Sequence, residues 1–253
     1  MMLVQRPSTP NPVVPREAWL AARRDLLVQE KAFTRQRDAL NAARLALPWV
    51  EIEVDYRFET PSGQQTLAQL FDGRSQLVVY HFMLGPDWDA GCPGCSFLAD
   101  HLDGPRVHLN NHDVTLLVVS RAPLAEIEAY KRRMGWGFPW VSSCGSSFNA
   151  DFGVSFDEAA MAGEELDYNY QKIPASKGAS ELPGLSAFIK DETGRVFHTY
   201  STYARGAEEL IGTFMILDRA PLGRNEGADM DWVRRHDEYE AAPAAACCHG
   251  TAA

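Results

Sequence analysis

Cys92 and Cys95, in Cys92-Pro93-Gly94-Cys95, are the side chains of this sequence with the clearest chemistry. Cysteines separated by two residues can close on each other as a disulfide or hold a metal ion together. The residues around them set their position. Leu77-Val-Val-Tyr-His-Phe-Met83 is an apolar, β-branched and aromatic run, as in a strand buried on both faces. Gly85, Pro86 and Gly91 break that run, and Phe97, Leu98 and Leu102 then recur at helical spacing. The expected order is strand, loop, dithiol, helix, with Cys92 at or just before the helix start. Unpaired backbone N–H groups there stabilise negative charge, so Cys92 should ionise more readily than a free thiol. Pro93 suits a first helical turn, where its missing N–H has no partner to lose. Gly94 places no side chain over the sulfurs. In such a pair Cys92 attacks a substrate disulfide and Cys95, one turn inward, resolves the mixed disulfide.

Several neighbours bear on this chemistry. His81, mid-strand, is either a hydrogen-bonded core histidine or a proton shuttle to Cys95. Asp87 and Asp89 could act as the base for Cys95, or oppose thiolate formation at Cys92. Trp88 reads as an apolar rim for a partner or an ordinary loop aromatic. Arg205 reads as a surface charge or as an anchor for an anionic substrate. A different class of function is metal binding, by Cys92 and Cys95 with His101, His108 or His112, or with Cys247-Cys248-His249 near the C-terminus. No second Cys-x-x-Cys exists to complete a zinc site. Cys247 and Cys248 could instead relay electrons to the Cys92–Cys95 pair. Cys144 reads as a small buried residue.

Composition narrows the classes. The chain has 253 residues, 45% of them hydrophobic, enough for a substantial core. A net charge of −10 argues against a nucleic-acid backbone or an anionic membrane as partner. No apolar run approaches a membrane span, and the N-terminal residues lack a signal-peptide pattern, so a cytoplasmic location is expected. In that compartment the five cysteines should be mostly thiols. No Gly-x-Gly-x-x-Gly follows a strand, so neither a nicotinamide nor a flavin is expected. The electron donor would be glutathione or a thioredoxin-type protein.

The elements that must carry the site can be read in order. Residues 1–15, with Pro7, Pro10, Pro12 and Pro15, read as a flexible arm. Residues 16–48 read as a helix in which Trp19, Leu26, Phe33, Leu40 and Leu47 recur at seven-residue intervals. This seam is expected to lie on its own domain, or else against a second copy in a homodimer. Val50 to Phe58 alternates like a strand with one wet face. Thr60 to Gly63 is a turn, and Thr66 to Gly73 a short helix. Val114 to Ser120 is a second buried strand, and a helix follows from Pro123 to Met134, stopped by Gly135. Phe138 to Ser142 is a short strand, Phe148 to Gly153 a helical turn, and Val154 to Glu181 an irregular insertion. Leu185–Lys190 and Arg195–Tyr200 form a hairpin around Gly194. Gly206 to Leu217 is the last helix. Residues 221–253 are a polar extension, with Trp232 to Tyr239 able to dock back, and a flexible tail.

This order gives an α/β core with a mixed sheet flanked by helices, parallel in the βαβ part and antiparallel at the hairpin. Residues 49–220 resemble the thioredoxin superfamily in the layout of the peroxiredoxins. More closely, the chain resembles a bacterial thioredoxin-like family known only as domain of unknown function 899. The strings that carry this are Tyr80 to Ser96, Met134-Gly-Trp-Gly-Phe-Pro-Trp-Val141, Phe152-Gly-Val154 and Phe197 to Gly206. The resemblance implies a thiol–disulfide oxidoreductase, with a thiol peroxidase as a close variant. Peroxiredoxins carry a threonine three residues before the reactive cysteine, and here that place holds Asp89. The superfamily also implies a cis-proline facing the dithiol. Pro183 stands in the matching position, where cis geometry would let Leu182 pair with an incoming peptide.

Overall fold

The computed structural model describes residues 11–228 and 230–239. Cys247, Cys248 and His249 lie outside the described residues. Pro15 caps a 30-residue helix, α1 (Arg16–Leu45), along which no residue is buried. The seam expected to lie on its own domain is solvent-facing instead: Trp19 is 51% and Phe33 60% exposed. Near its end, the Arg44 guanidinium stands 5.5 Å from the Tyr200 ring centroid.

The alternating stretch after α1 makes two strands rather than one, β1 (Val50–Glu51) and β2 (Arg57–Thr60). Between them Ile52 still donates to the Val196 carbonyl, but Tyr56 N–H turns back onto Val54 O at 3.0 Å and ends the extended run. β2 folds onto β3 (Gly63–Thr66) through a turn in which Gly63 has φ +101 and Thr60 Oγ1 donates to its carbonyl. The expected short helix is a 3-10 turn at Gln69–Phe71.

The central strand β4 (Gln76–His81) leads into the dithiol loop, then α2 (Pro93–Ala99) and α3 (Arg106–Asn111). Next come β5 (Val114–Ser120), α4 (Leu124–Met134), β6 (Trp140–Ser142) and α5 (Phe148–Asp151). Gly135, at φ +66, closes α4 as its left-handed cap. The stretch read as an irregular insertion is ordered as α6 (Glu158–Met161) and a small antiparallel pair, β7 (Glu165–Tyr168) with β8 (Gln171–Pro174). Its inward positions Leu166 and Tyr168 are buried and Glu165 and Asp167 exposed, the period of two that defines a half-buried strand. The hairpin follows as β9 (Gly184–Lys190) and β10 (Val196–Tyr203). The final helical region is a 3-10 run, Ala204–Leu210, and α7 (Gly212–Leu217).

Among the described residues the main sheet has the order β1-β10-β9-β4-β5-β6-β2-β3. The β4–β5 and β5–β6 ladders are parallel, and the others antiparallel. β1 and β2 are adjacent in sequence yet separated by six strand intervals, roughly 29 Å across a flat sheet. The six steps from Glu51 to Arg57 reach at most about 22 Å. The sheet must therefore curl to bring its outer strands together.

Neighbouring residues on β4 point to opposite faces. Tyr80 enters a core with Phe82, Cys95, Leu98, Trp136 and Trp140. His81 enters the opposite face, stacked on Phe148 and Phe152 with centroids 5.5 and 5.7 Å away.

Candidate active site

Cys92 occupies the N-cap of α2, and Pro93 takes the first helical position. Two features bring the chain there. Gly91 packs so closely that a Cβ would lie 2.5 Å from the Phe82 ring and 2.8 Å from Tyr130, so only glycine fits. Cys92 N–H donates to the Met83 carbonyl at 3.1 Å, tying the loop back to the end of the central strand. Ser96 then donates through its hydroxyl to Cys92 O and meets Tyr130 Oη at 2.9 Å.

Both cysteines are free thiols, Cys92 half-buried and Cys95 buried. Their environments push them apart. The Cys92 thiol is lowered to about 6, chiefly because Cys95 Sγ–H donates to it. Burial opposes this, while the backbone N–H groups of Cys95 and Gly94 and the charge of Arg235 add to it. The Cys95 thiol is pushed up, first by burial and then by the Cys92 sulfur beside it, although the Tyr80 hydroxyl acts in the opposite direction. The two thiols are thereby driven in opposite directions, Cys92 down and Cys95 up.

Arg235 is a part of the site that sequence reasoning missed. Its Nε and Nη2 donate to the Gly91 carbonyl at 2.9 and 2.7 Å. The C-terminal extension is held there by Arg133–Asp237 at 2.7 Å and His236–Asp100 at 2.7 Å. Trp232 packs on Phe97 with centroids 5.5 Å apart, and Val233 is buried. The visible signal was Trp232 and Val233 within a polar stretch. Tyr80 was also missed, because its strand pattern marks it only as core.

The other expected residues fall as follows. His81 lies on the far face of the sheet, so it is no shuttle for Cys95. Its Nε2 meets Ser186 Oγ at 2.8 Å, and Ser186 continues through Ser201 to His198. Burial, and then the nearby His198, lower its pKa to about 3. Asp89 is exposed, and with Trp88 it lines a separate cavity against α4, bounded by Ala129 and Arg133. Neither lines the cavity beside the sulfurs, and just before them the loop passes Asp87 at φ +65. Gly94 is covered by Met230, whose Cε would lie 3.2 Å from a Cβ there. Arg205 is exposed and pairs with Glu208 at 2.9 Å. Cys144 is exposed rather than buried, where the chain turns at Gly145.

Pro183 faces the dithiol, but its peptide bond is trans, since no cis peptide occurs among the described residues. Leu182 N–H is taken by the Val154 carbonyl at 2.8 Å, and Phe156 N–H by Ser180 O at 2.9 Å. The Leu182 N–H expected to meet a peptide is already paired within the chain. His101 does not fit the metal alternative either. Its Nδ1–H donates to Phe97 O at 2.8 Å, and its Nε2 accepts from Thr213 N–H at 3.1 Å. Both ring nitrogens are thereby engaged. His108 and His112 are exposed, on α3 and at its C-terminal end. Among the described residues no three His, Cys, Asp or Glu side chains are grouped to hold a metal ion.

A cavity of about 270 Å³ opens beside the sulfurs. Its walls are mainly apolar, with Met83, Leu98, Ala207, Ile211, Phe214 and Met230 among them.

The curled mixed sheet, with the Cys92–Cys95 loop after its strand β4, is an α/β arrangement. The chain belongs to the family described as "Bacterial protein of unknown function (DUF899)", which matches residues 8–239. Comparison with curated protein sequences finds no match. Similar solved structures include a cysteine-to-serine mutant of peroxiredoxin Q from Xanthomonas campestris. It has 14% identity and a TM-score of 0.43, over 67% of this chain and 98% of that one. Peroxidoxin BcpB from Mycobacterium tuberculosis has 14% identity and a TM-score of 0.42, over 66% and 95%. The mitochondrial 2-Cys peroxiredoxin from Plasmodium falciparum has 16% identity and a TM-score of 0.38, over 68% and 94%. No helix of the described residues is long and apolar enough to cross a membrane.

Proposed function

We propose that this protein is a dithiol–disulfide oxidoreductase in which Cys92 is the nucleophile and Cys95 the resolving thiol. The observation that carries the reading is the split protonation of the pair, a Cys92 thiol lowered to about 6 beside a buried Cys95 raised above its ordinary value. The Cys92 thiolate attacks one sulfur of a substrate disulfide and expels the other as a thiolate. Cys95 then loses its proton, attacks Cys92 Sγ and releases the second substrate thiol. Two electrons leave the dithiol, and a thiol reductant, glutathione or a thioredoxin-type protein, restores them.

A glutathione redox titration with alkylation and mass spectrometry tests this. The expected result is a Cys92–Cys95 disulfide in equilibrium at about −180 to −270 mV. Failure of the two sulfurs to pair at any potential overturns it. Pairing of Cys92 with Cys247 or Cys248 would instead make the C-terminal cysteines the resolving partners.

A thiol peroxidase is the second reading, supported by the same half-buried thiolate and the cavity beside it. Cys92 would take the terminal oxygen of a hydroperoxide as a sulfenic acid, releasing an alcohol or water, and Cys95 would condense with it to give water and the disulfide. Faster oxidation by hydroperoxides than by disulfides would select this reading. For α1, whose apolar seam stays exposed, the partner we propose is α1 of a second copy.

A further inference from the structure

We infer that the cavity beside the dithiol is a binding site for the alkyl group of a small, uncharged disulfide; this rests on the exchange reading above. Three observations carry it. Cys92 and Cys95 form part of the cavity wall, so a disulfide seated there can bring a sulfur to Cys92. The rest of the wall offers almost nothing polar. Tyr80 is engaged with Cys95, Arg205 with Glu208, and Glu208 also with Arg224. The volume, about 270 Å³, exceeds the ~150 Å³ of an apolar cavity that holds benzene, which gives room for an alkyl chain.

Glutathione disulfide fits these walls poorly. Its carboxylates would lose water against Ile211, Phe214 and Met230, and the cation of the wall, Arg205, is already paired with Glu208. A peptide substrate fits poorly for a different reason, since Leu182 N–H already pairs with Val154. An alkyl chain loses only its hydration, which favours transfer. The step balances as ordinary exchange. Cys92 S⁻ joins one alkyl-bearing sulfur and expels the other alkanethiolate. Attack by Cys95 then forms the Cys92–Cys95 bond, and the second alkanethiol leaves.

The test measures how fast the reduced, full-length protein is oxidised by dimethyl, diethyl, dipropyl and dibutyl disulfide, by bis(2-hydroxyethyl) disulfide and by glutathione disulfide. Each rate is normalised to the reaction of the same disulfide with free cysteine. The expected result is a rise of about fourfold per added methylene until the cavity is filled, with dibutyl disulfide at least tenfold ahead of glutathione disulfide. Met230→Glu should abolish the chain-length dependence, and Met230→Leu should keep it, with circular dichroism reporting that both fold. Equal normalised rates, glutathione disulfide as the fastest oxidant, or an unchanged dependence in folded Met230→Glu overturns the assignment and leaves the exchange reading intact. If none of the disulfides yields a Cys92–Cys95 bond, the exchange reading itself fails.

Discussion

Arg235 and Gly91, 144 positions apart in the chain, are joined by two hydrogen bonds from the guanidinium to the carbonyl, at 2.9 and 2.7 Å. The bond fixes the residue preceding Cys92 and brings a full positive charge to the edge of the dithiol. The C-terminal extension is thereby tied to the loop that carries Cys92. Arg235→Gln should raise the Cys92 pKa, because a cation that favours the thiolate is removed. The pH profile of iodoacetamide alkylation reads this directly. Its midpoint should lie near 6 in the parent, and higher in the variant. Identical midpoints would show that Arg235 only supports the loop.

Tyr80→Phe removes the hydroxyl that favours the Cys95 thiolate. The first step, attack by Cys92, should be unchanged within about twofold, while resolution of the mixed disulfide should slow by roughly tenfold, about 1.4 kcal/mol of barrier. Trapping the mixed disulfide by acid quench and mass spectrometry separates the steps. Cys95→Ser should accumulate that species fully.

His81 ties stability to pH. It is neutral in the fold, with its pKa lowered to about 3, against 6.5 for an unperturbed imidazole. Between those values the unfolded chain binds the additional proton, so stability falls as pH drops from about 6.5 towards 3 and is insensitive to His81 below that window. The loss is on the order of a few kcal/mol. His81→Leu should flatten this slope in urea denaturation at stepped pH. A slope equal to the parent's would assign the acid sensitivity to other groups.

Glu181 is 1% exposed and accepts from Arg121 Nε at 2.7 Å and from Ser155. Arg121→Ala strands a buried carboxylate and should cost about 2 to 3 kcal/mol, less than for a fully buried pair because Arg121 is partly exposed. Adding Glu181→Gln should recover most of the loss. Chemical denaturation of the two variants checks it, and a double variant as unstable as the single one would remove charge from the explanation.

Phe33→Glu places a charge in the exposed seam of α1. If α1 pairs with α1 of a second copy, light scattering should show a parent dimer and a variant monomer, with the alkylation profile of Cys92 unaltered. A monomeric parent ends that proposal.

The hairpin, the α4 stop and the dithiol helix were all legible because each depends on nearby residues. Gly194 turns the hairpin, Gly135 caps α4, and Pro93 starts α2. The alternation of Glu165 to Tyr168 was missed, because acidic neighbours disguised it as loop. The split of Val50 to Phe58 was not legible, since one alternating run looks the same whether it stays on one strand or crosses between distant partners. His81 shows the same limit. A strand pattern places consecutive residues on opposite faces without saying which face holds the sulfurs.

By itself the sequence determined where the dithiol lies along its helix. Cysteine spacing, Pro93 and the helix-forming residues after them act over a single turn, so local stereochemistry was enough to put Cys92 at a helix start. Tertiary structure decided everything that depends on distant parts of the chain meeting. It put Tyr80 rather than His81 against Cys95, brought Arg235 to Gly91, closed the Leu182 backbone onto Val154, and walled the sulfurs with Ile211, Phe214 and Met230. Desolvation and charge act through space, and only the packed fold sets those distances.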